Sequence, residues 1–278
     1  MPTEKINNVN IFWKLTGDAG EPLILVHGSW GDHHTWDSVT PMLAKTFRVL
    51  AYDRRGHSLS ERPAGQGYAE EDITDLIELI NHLDLSPAHI AGSSYGASIV
   101  LKTAAKRPGL FRSMILHEPP LFGLLKDDPD ADEALQTVNV RTKAVLDLIA
   151  AGNIEKAAGE FTEKIAMGPG AWEKLPDGAK NTLIYNASTW YDEMQDPQSL
   201  QIDMTTLSAF KKPALLSTGS ESPIFFPLVI EKLINALPHA KRLTIKGAGH
   251  VPQSSHSEKY AELVKQFCLT GDAVLQFL

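Results

Sequence analysis

His89-Ile90-Ala91-Gly92-Ser93-Ser94-Tyr95-Gly96-Ala97 carries a glycine-flanked serine between an apolar run and a helical pattern. A short apolar run ends in Ile90-Ala91, and a helical pattern follows in Ala97, Ile99, Val100, Leu101, Ala104 and Ala105. Between them, Gly92-Ser93-Ser94-Tyr95-Gly96 fits the pattern G-x-S-x-G and puts Ser94 on a tight turn from strand to helix. Such a turn leaves little room for flanking side chains, and glycine supplies that room. The turn lifts the Ser94 hydroxyl off the sheet and points the first N–H groups of the helix at developing negative charge. The pattern marks Ser94 as a nucleophile, which needs a base, an acid and a second N–H donor from elsewhere in the chain.

Upstream, Ile6 to Leu15 alternates in the manner of a half-buried strand or hairpin at a sheet edge. Pro22-Leu23-Ile24-Leu25-Val26 is continuously apolar, as expected of a strand buried on both faces. It runs into His27-Gly28-Ser29-Trp30-Gly31, a loop that either turns its backbone N–H groups to a ligand or simply connects strand to helix. The next helix carries Trp36, Val39, Met42 and Leu43 on one face. A strand from Phe47 to Tyr52 then enters Asp53-Arg54-Arg55-Gly56-His57-Ser58, read as an ion-pair network that holds a loop, with His57 structural. A helix from about Ala69 to Leu83 leads to the Ser94 turn.

Downstream, the strand Phe111 to Leu116 stops at His117-Glu118-Pro119-Pro120, because proline cannot extend a ladder. Strand-like runs are then absent to Ser208, and amphipathic patterns span Val138–Ala151, Ile154–Ile165 and Ala179–Met194. Strand character returns at Pro213–Ser217 and Arg242–Ile245, with a helix from about Pro227 to Leu237 between them and a last helix from Ser257 to Phe267. This alternation predicts an α/β fold, a mostly parallel central sheet with helices on both faces. Residues 1–120 and 209–278 form its core, and 121–208 are a helical insertion. The loops carrying Ser29, Ser94, Glu118, Ser220 and His250 all follow strands, so they should share one sheet edge, where such folds bind ligands.

Ten histidines compete for the role of base, and imidazole takes a serine proton near neutral pH. His27 and His57 precede Ser94, against the order serine, acid, histidine expected of this turn. His117 neighbours Glu118 on a strand, where side chains alternate, and His239 lies at the wrong end of its strand. His250, in Lys246-Gly247-Ala248-Gly249-His250, lies at the correct end.

With 26 basic against 34 acidic side chains, the formal charge of −8 opposes nucleic-acid binding. The single cysteine, Cys268, excludes an internal disulfide and reads as a buried helix residue. No signal-like run opens the chain and no stretch reaches membrane-span length, so a cytoplasmic protein without membrane contact is expected. The glycosylation-like Asn186-Ala187-Ser188 is therefore read as silent. No metal-ligand spacing or phosphate loop appears, so no cofactor and no metal are expected. The oligomeric state is not legible.

His27-Gly28, Asp53-Arg54-Arg55-Gly56-His57, Gly92-Ser93-Ser94-Tyr95-Gly96 and Gly247-Ala248-Gly249-His250 together resemble the α/β-hydrolase fold family over essentially the whole length. The resemblance implies Ser94 as nucleophile and His250 as base. It also implies an oxyanion hole from the amides of Ser29 and Tyr95, and a cap role for the helical insertion. The family commonly places its acid after the strand that follows the cap, in G-x-x-D. Here Gly219-Ser220-Glu221-Ser222 puts serine at that position, and a serine cannot balance an imidazolium. Glu118 ends the strand before the cap, where zearalenone-type lactone hydrolases carry their acid. It is preferred over Glu221, which is one residue from the usual place.

Trp30, Trp172, Trp190, Tyr191, Met194, Phe225 and Phe226 are candidates for the substrate pocket, although a Trp190–Met194 pair one turn apart also suits plain helix packing. The expected activity is hydrolysis of an ester or lactone of a small-molecule substrate through an acyl-enzyme. A cofactor-free haloperoxidase or perhydrolase, a carbon–carbon bond hydrolase, and a ligand receptor on a hydrolase scaffold are the alternatives. Aspartate-dependent epoxide hydrolases and dehalogenases are disfavoured by serine at position 94.

Overall fold

Eight strands form one sheet in the order β1 (Thr3–Ile6), β2 (Val9–Thr16), β4 (Arg48–Tyr52), β3 (Pro22–Val26), β5 (Ala88–Ser93), β6 (Phe111–His117), β7 (Ala214–Gly219), β8 (Lys241–Ile245). The computed structural model describes residues 3–273, so the outermost residues of the expected core, 1–2 and 274–278, lie outside the described residues. Of the strand or hairpin expected over Ile6–Leu15, most is the single strand β2, which forms an edge hairpin with β1 before it; the pairs β1–β2 and β2–β4 are antiparallel. All other neighbours are parallel.

The continuous apolar runs are explained by two cores. Ile24, Val26, Leu50, Ile90, Met114 and Leu216 face one layer of helices, including Ala69–His82, Tyr95–Lys106 and Phe225–Ala236. Their neighbours Leu23, Leu25, Val49, Ala91, Ile115 and Leu215 face the other, under Ser257–Thr270. Successive side chains point to opposite faces, so a strand buried on both sides must be apolar throughout. Cys268 packs in the second core, where burial pushes its thiol up to about 12.

Two expectations need correction. The single helix expected around Trp36 to Leu43 is a 3-10 turn, His33–Trp36, followed by a short helix, Thr40–Leu43. Pro41 sits in the first turn of the second piece, where its missing N–H is tolerated, and it is not tolerated inside a continuous helix. The helix expected from Pro227 begins at Phe225, so Pro227 lies within its first turn.

Between β6 and β7 the chain is helical. The long helices Asp132–Ala150, Ile154–Phe161 and Asp177–Glu193 pack around Val145, Ile149, Ala158, Ala187 and Trp190. The second continues into one π-helical turn, Thr162–Ala166. Asn186, in the glycosylation-like triplet, is fully buried. Its amide donates to the carbonyls of Trp30 at 3.2 Å and Gly31 at 2.9 Å and accepts from the Ser58 amide at 2.8 Å. It ties this helical segment to the core. Among the described residues, no helix is long and apolar enough to cross a membrane.

Candidate active site

β3 and β5 are neighbours, yet the chain leaves β3 for β4 on the opposite side. A crevice opens at such a switch point, beyond the carboxyl ends of the strands. The Ser29 loop leaves β3 and Ser94 leaves β5 at that point.

Glycine is required here by close approach. A Cβ on Gly96 would stand 2.3 Å from the Val26 carbonyl oxygen, and one on Gly92 would stand 2.8 Å from Ala97 Cα. A Cβ on Gly28 would meet Ser94 Cβ at 2.9 Å. Ser94 has φ 53° and ψ −127°, a conformation a non-glycine residue holds only where its surroundings impose it. Its amide donates to the His117 carbonyl at 2.8 Å, and its hydroxyl lines a cavity. Ser93 is instead buried on β5, where Gln253 Nε2 donates to its hydroxyl at 3.4 Å. The two serines are thereby distinguished.

Glu118 is fully buried, and its Oε2 lies 2.6 Å from His250 Nδ1. Its Oε1 accepts from the Gly219 amide at 2.8 Å. In the neutral imidazole, an Nδ1–H that donates to Glu118 makes Nε2 the acceptor nitrogen, and His250 lines the same cavity as Ser94. The Phe226 ring stacks on the His250 imidazole at 4.3 Å and fixes its plane. Burial would raise the Glu118 carboxyl, but the His117 and His250 imidazoles outweigh it and lower the group to about 2. Burial holds His117 itself down to about 4, so at neutral pH the His250 hydrogen bond is the contact that persists. Glu221 is exposed.

The expected opposition of His117 and Glu118 does not hold. His117 Nε2 lies 3.6 Å from Glu118 Oε2. Glu118 has φ 49°, so the backbone leaves the extended region and strand alternation ends there.

Ser29 and Tyr95 also line the cavity. Tyr95 opens the helix Tyr95–Lys106, whose first N–H groups have no acceptor within the helix. The Ser29 loop is held from behind. The Arg54 amide donates to His27 Nε2 at 2.9 Å, which leaves the proton on Nδ1 to donate to the Gly28 carbonyl at 2.7 Å. Burial first, then the Arg54 charge, lowers His27 to about 3 and keeps it neutral.

The cavity has an empty volume of about 420 Å³. Trp190, Met194 and Phe226, three of the pocket candidates, line it. Four others do not. Trp30 is fully buried beneath the insertion, stacked on Phe161 at 4.7 Å. Trp172 is half-buried against the insertion's own apolar cluster, with Lys180 over its ring at 5.6 Å. Tyr191 is half-buried and packs against the cluster of Val145, Ala187 and Trp190. Phe225 packs edge-on against Phe122 at 5.3 Å. Sequence reading missed Thr142, Phe161, Ile165 and Leu200, which also wall the cavity.

The charged loop is the expected network. Arg55 grips Asp75 at 2.7 and 2.8 Å and Glu71 at 2.8 Å, while His57 is buried against the Arg55 carbonyl. Arg54 departs from this pattern. Its Nη2 pairs with Glu193 of the insertion, and its guanidinium lies over the Tyr95 ring at 5.0 Å. Neither Arg54 nor Glu193 was singled out from sequence for the site. The signal was the i, i+4, i+7 spacing of Asn186, Trp190 and Glu193, which puts all three on one helix face.

Asp32, His33 and His34 bring potential metal ligands within 4.8 Å of one another, a group that spacing did not single out. Each is already engaged. His33 Nδ1 is on Asp53 at 2.7 Å, His34 Nδ1 on Asp37 at 2.6 Å, and Asp32 accepts from the His34 amide and the Ser58 hydroxyl.

The family model for the alpha/beta hydrolase fold matches residues 21–257. The chain belongs to the α/β-hydrolase fold family. It is 25% identical over 267 residues to 2-hydroxymuconate semialdehyde hydrolase of Pseudomonas sp. (strain CF600), covering 92% of this chain and 89% of that one. Two other curated relatives, each 37% identical, are matched over only 28% and 46% of their own lengths. Among solved structures, a thermophilic esterase from Thermogutta terrifontis superimposes with TM-score 0.77 at 21% identity, covering 97% of this chain and 98% of that one. Est816, described as an N-acyl homoserine lactone degrading enzyme, superimposes with TM-score 0.72 at 20% identity, covering 96% and 100%. At these identities the solved structures speak for the fold.

Proposed function

We propose that this hydrolase cleaves carboxylic esters or lactones of small, uncharged, largely apolar substrates through an acyl-enzyme on Ser94. The observation that carries the reading is the 2.6 Å contact of Glu118 with His250 Nδ1, which leaves His250 Nε2 free on the cavity that Ser94 lines. Ser94 Oγ attacks the carbonyl carbon while His250 Nε2 takes its proton. Glu118 balances the imidazolium, and the amides of Ser29 and Tyr95 receive the oxyanion. The tetrahedral intermediate expels the alkoxide, which His250 protonates. Water, deprotonated by the same imidazole, then releases the acid and frees Ser94. No step requires a metal or cofactor, and residues 121–208 act as the cap.

The uncharged substrate class follows from the walls. Pro120, Phe122, Phe161, Ile165 and Leu200 join the aromatic and Met residues already named, and the lining holds no lysine, arginine, aspartate or glutamate. A substrate carboxylate would be desolvated without a partner, which is costly. The Thermogutta esterase and Est816 are consistent relatives in fold.

A panel of chromogenic esters and lactones tests the reading. Neutral esters should turn over, and half-esters with a free carboxylate should lose about tenfold or more in kcat/KM. Turnover confined to carboxylate-bearing substrates would contradict the assigned class. Covalent labelling of Ser94 without turnover on any of them would favour a receptor.

A further inference from the structure

Glu193 is placed where an ordinary carboxylate is least at ease. It is the last residue of the helix Asp177–Glu193, at the end where the helix dipole disfavours negative charge. It is also only 2% exposed. Burial raises its carboxyl, while the Arg54 charge and the Ser29 and Arg54 hydrogen bonds oppose that rise. Such a residue needs partners, and its two oxygens divide them. Oε1 pairs with Arg54, and Oε2 accepts from the Ser29 hydroxyl at 2.6 Å.

Both partners lead to the site. Ser29 and Tyr95 carry the amides assigned to the oxyanion, and the Arg54 guanidinium covers the Tyr95 ring. The Arg54 backbone amide also holds His27, whose ring holds the Gly28 carbonyl. One arginine–carboxylate pair therefore braces His27, Ser29 and Tyr95 together, and its carboxylate comes from the helical insertion. We propose that Glu193, with Arg54, is a positioning residue of the oxyanion site. It draws the Ser29 hydroxyl away from the position of the developing oxyanion and fixes the Ser29 amide towards it. The site is complete only when the insertion is seated on the core. This inference rests on the acyl-enzyme reading above.

The test is a double-mutant cycle of Glu193→Gln and Ser29→Ala, run after Ser94→Ala has been found inactive, so that failure of the broader reading is seen separately. Ser29→Ala keeps the amide and removes the hydroxyl; Glu193→Gln keeps the volume and removes the charge. Each should lower kcat by about tenfold with KM within about threefold, less than the loss of an oxyanion donor outright. The double variant should be little worse than the poorer single, because both break one linkage. The inhibition constant of a trifluoromethyl ketone, which forms a tetrahedral oxyanion on serine, should rise in parallel with the fall in kcat. A role confined to holding the fold predicts additive losses and an unchanged ketone affinity among folded molecules, and that result overturns the proposal. If Glu193→Gln does not fold, Ser29→Ala alone decides: near wild-type kcat and ketone affinity overturn it, and a parallel loss of both supports it.

Discussion

Each candidate catalytic side chain occupies a position that its neighbours impose. Ser94 and Glu118 are non-glycine residues with φ of 53° and 49°, and both belong to the candidate site. Strain of this kind persists only where packing over-determines it, and here it aims a hydroxyl and a carboxylate. Glu118 is the residue on which sequence and family pattern diverge, because Ser222 stands at the usual place of the acid. The sharpest single-residue prediction lies there. Glu118→Gln should lower kcat by about a hundredfold to ten-thousandfold with the circular dichroism spectrum unchanged, since an amide holds neither the tautomer nor the charge. Glu221→Gln should remain within about threefold of wild type, as its exposed carboxylate is outside the mechanism. The reverse pattern would return the acid to the loop after β7.

At the scale of elements, the turn from β5 into its helix sets the site, and its glycines are steric necessities. Gly96→Ala would drive a methyl against the Val26 and His27 carbonyl oxygens, at 2.3 and 2.4 Å. It should destabilise the protein by about 1–3 kcal/mol or more in urea unfolding. Gly109→Ala, with open space around its Cβ, should stay within about 0.5 kcal/mol. Equal effects would mean that the turn relaxes freely. This turn was legible because its constraint is local: strand, glycine, serine, glycine and helix follow one another in the chain. The parallel sheet was legible for a similar reason, through unbroken apolar runs such as Pro22–Val26. What was not legible depends on contacts between distant residues. Glu193 meets Ser29 across 164 positions, and the helix spacing that sets it beside Asn186 and Trp190 does not name that partner. The cavity-facing members of the aromatic set were equally hidden, because composition cannot tell Trp190 from Tyr191 without the helix's orientation. The shared side of His117 and Glu118 was misread because alternation holds only while the backbone stays extended.

The whole molecule is a sheet with the candidate site at one edge and a helical segment locked across it. The lock is polar and largely buried: Asn186 on Trp30 and Gly31, Asp196 on the Ala69 amide at 2.9 Å, and Glu193 on Arg54. Buried titratable groups also give the fold a pH signature. Burial lowers His27 to about 3, His117 to about 4 and His57 well below its ordinary value. Unfolding lets these imidazoles bind protons near their ordinary value, so their contribution is full above about pH 6.5 and is lost as pH falls towards the folded values. Asp72, raised to about 7 by burial, and Glu193, also raised, act in the opposite sense: their contribution falls as pH rises through their ordinary range. Burial lowers His89 as well, whereas the Asp53 hydrogen bond and charge outweigh burial at His33 and raise it, so that it joins Asp72 and Glu193. Four groups thus oppose three, and the thermal midpoint should drop as pH is lowered from about 7 to about 4.5. A midpoint that rises over that interval would contradict these burial assignments. The covalent step at Ser94 is read by mass spectrometry of protein quenched during turnover of a slowly deacylated ester. An added mass equal to the acyl group is expected, localised to the peptide bearing Ser94 and absent in Ser94→Ala, with turnover lost in the same variant. Steady turnover in Ser94→Ala, or an acyl group carried by Ser93 instead, would contradict it.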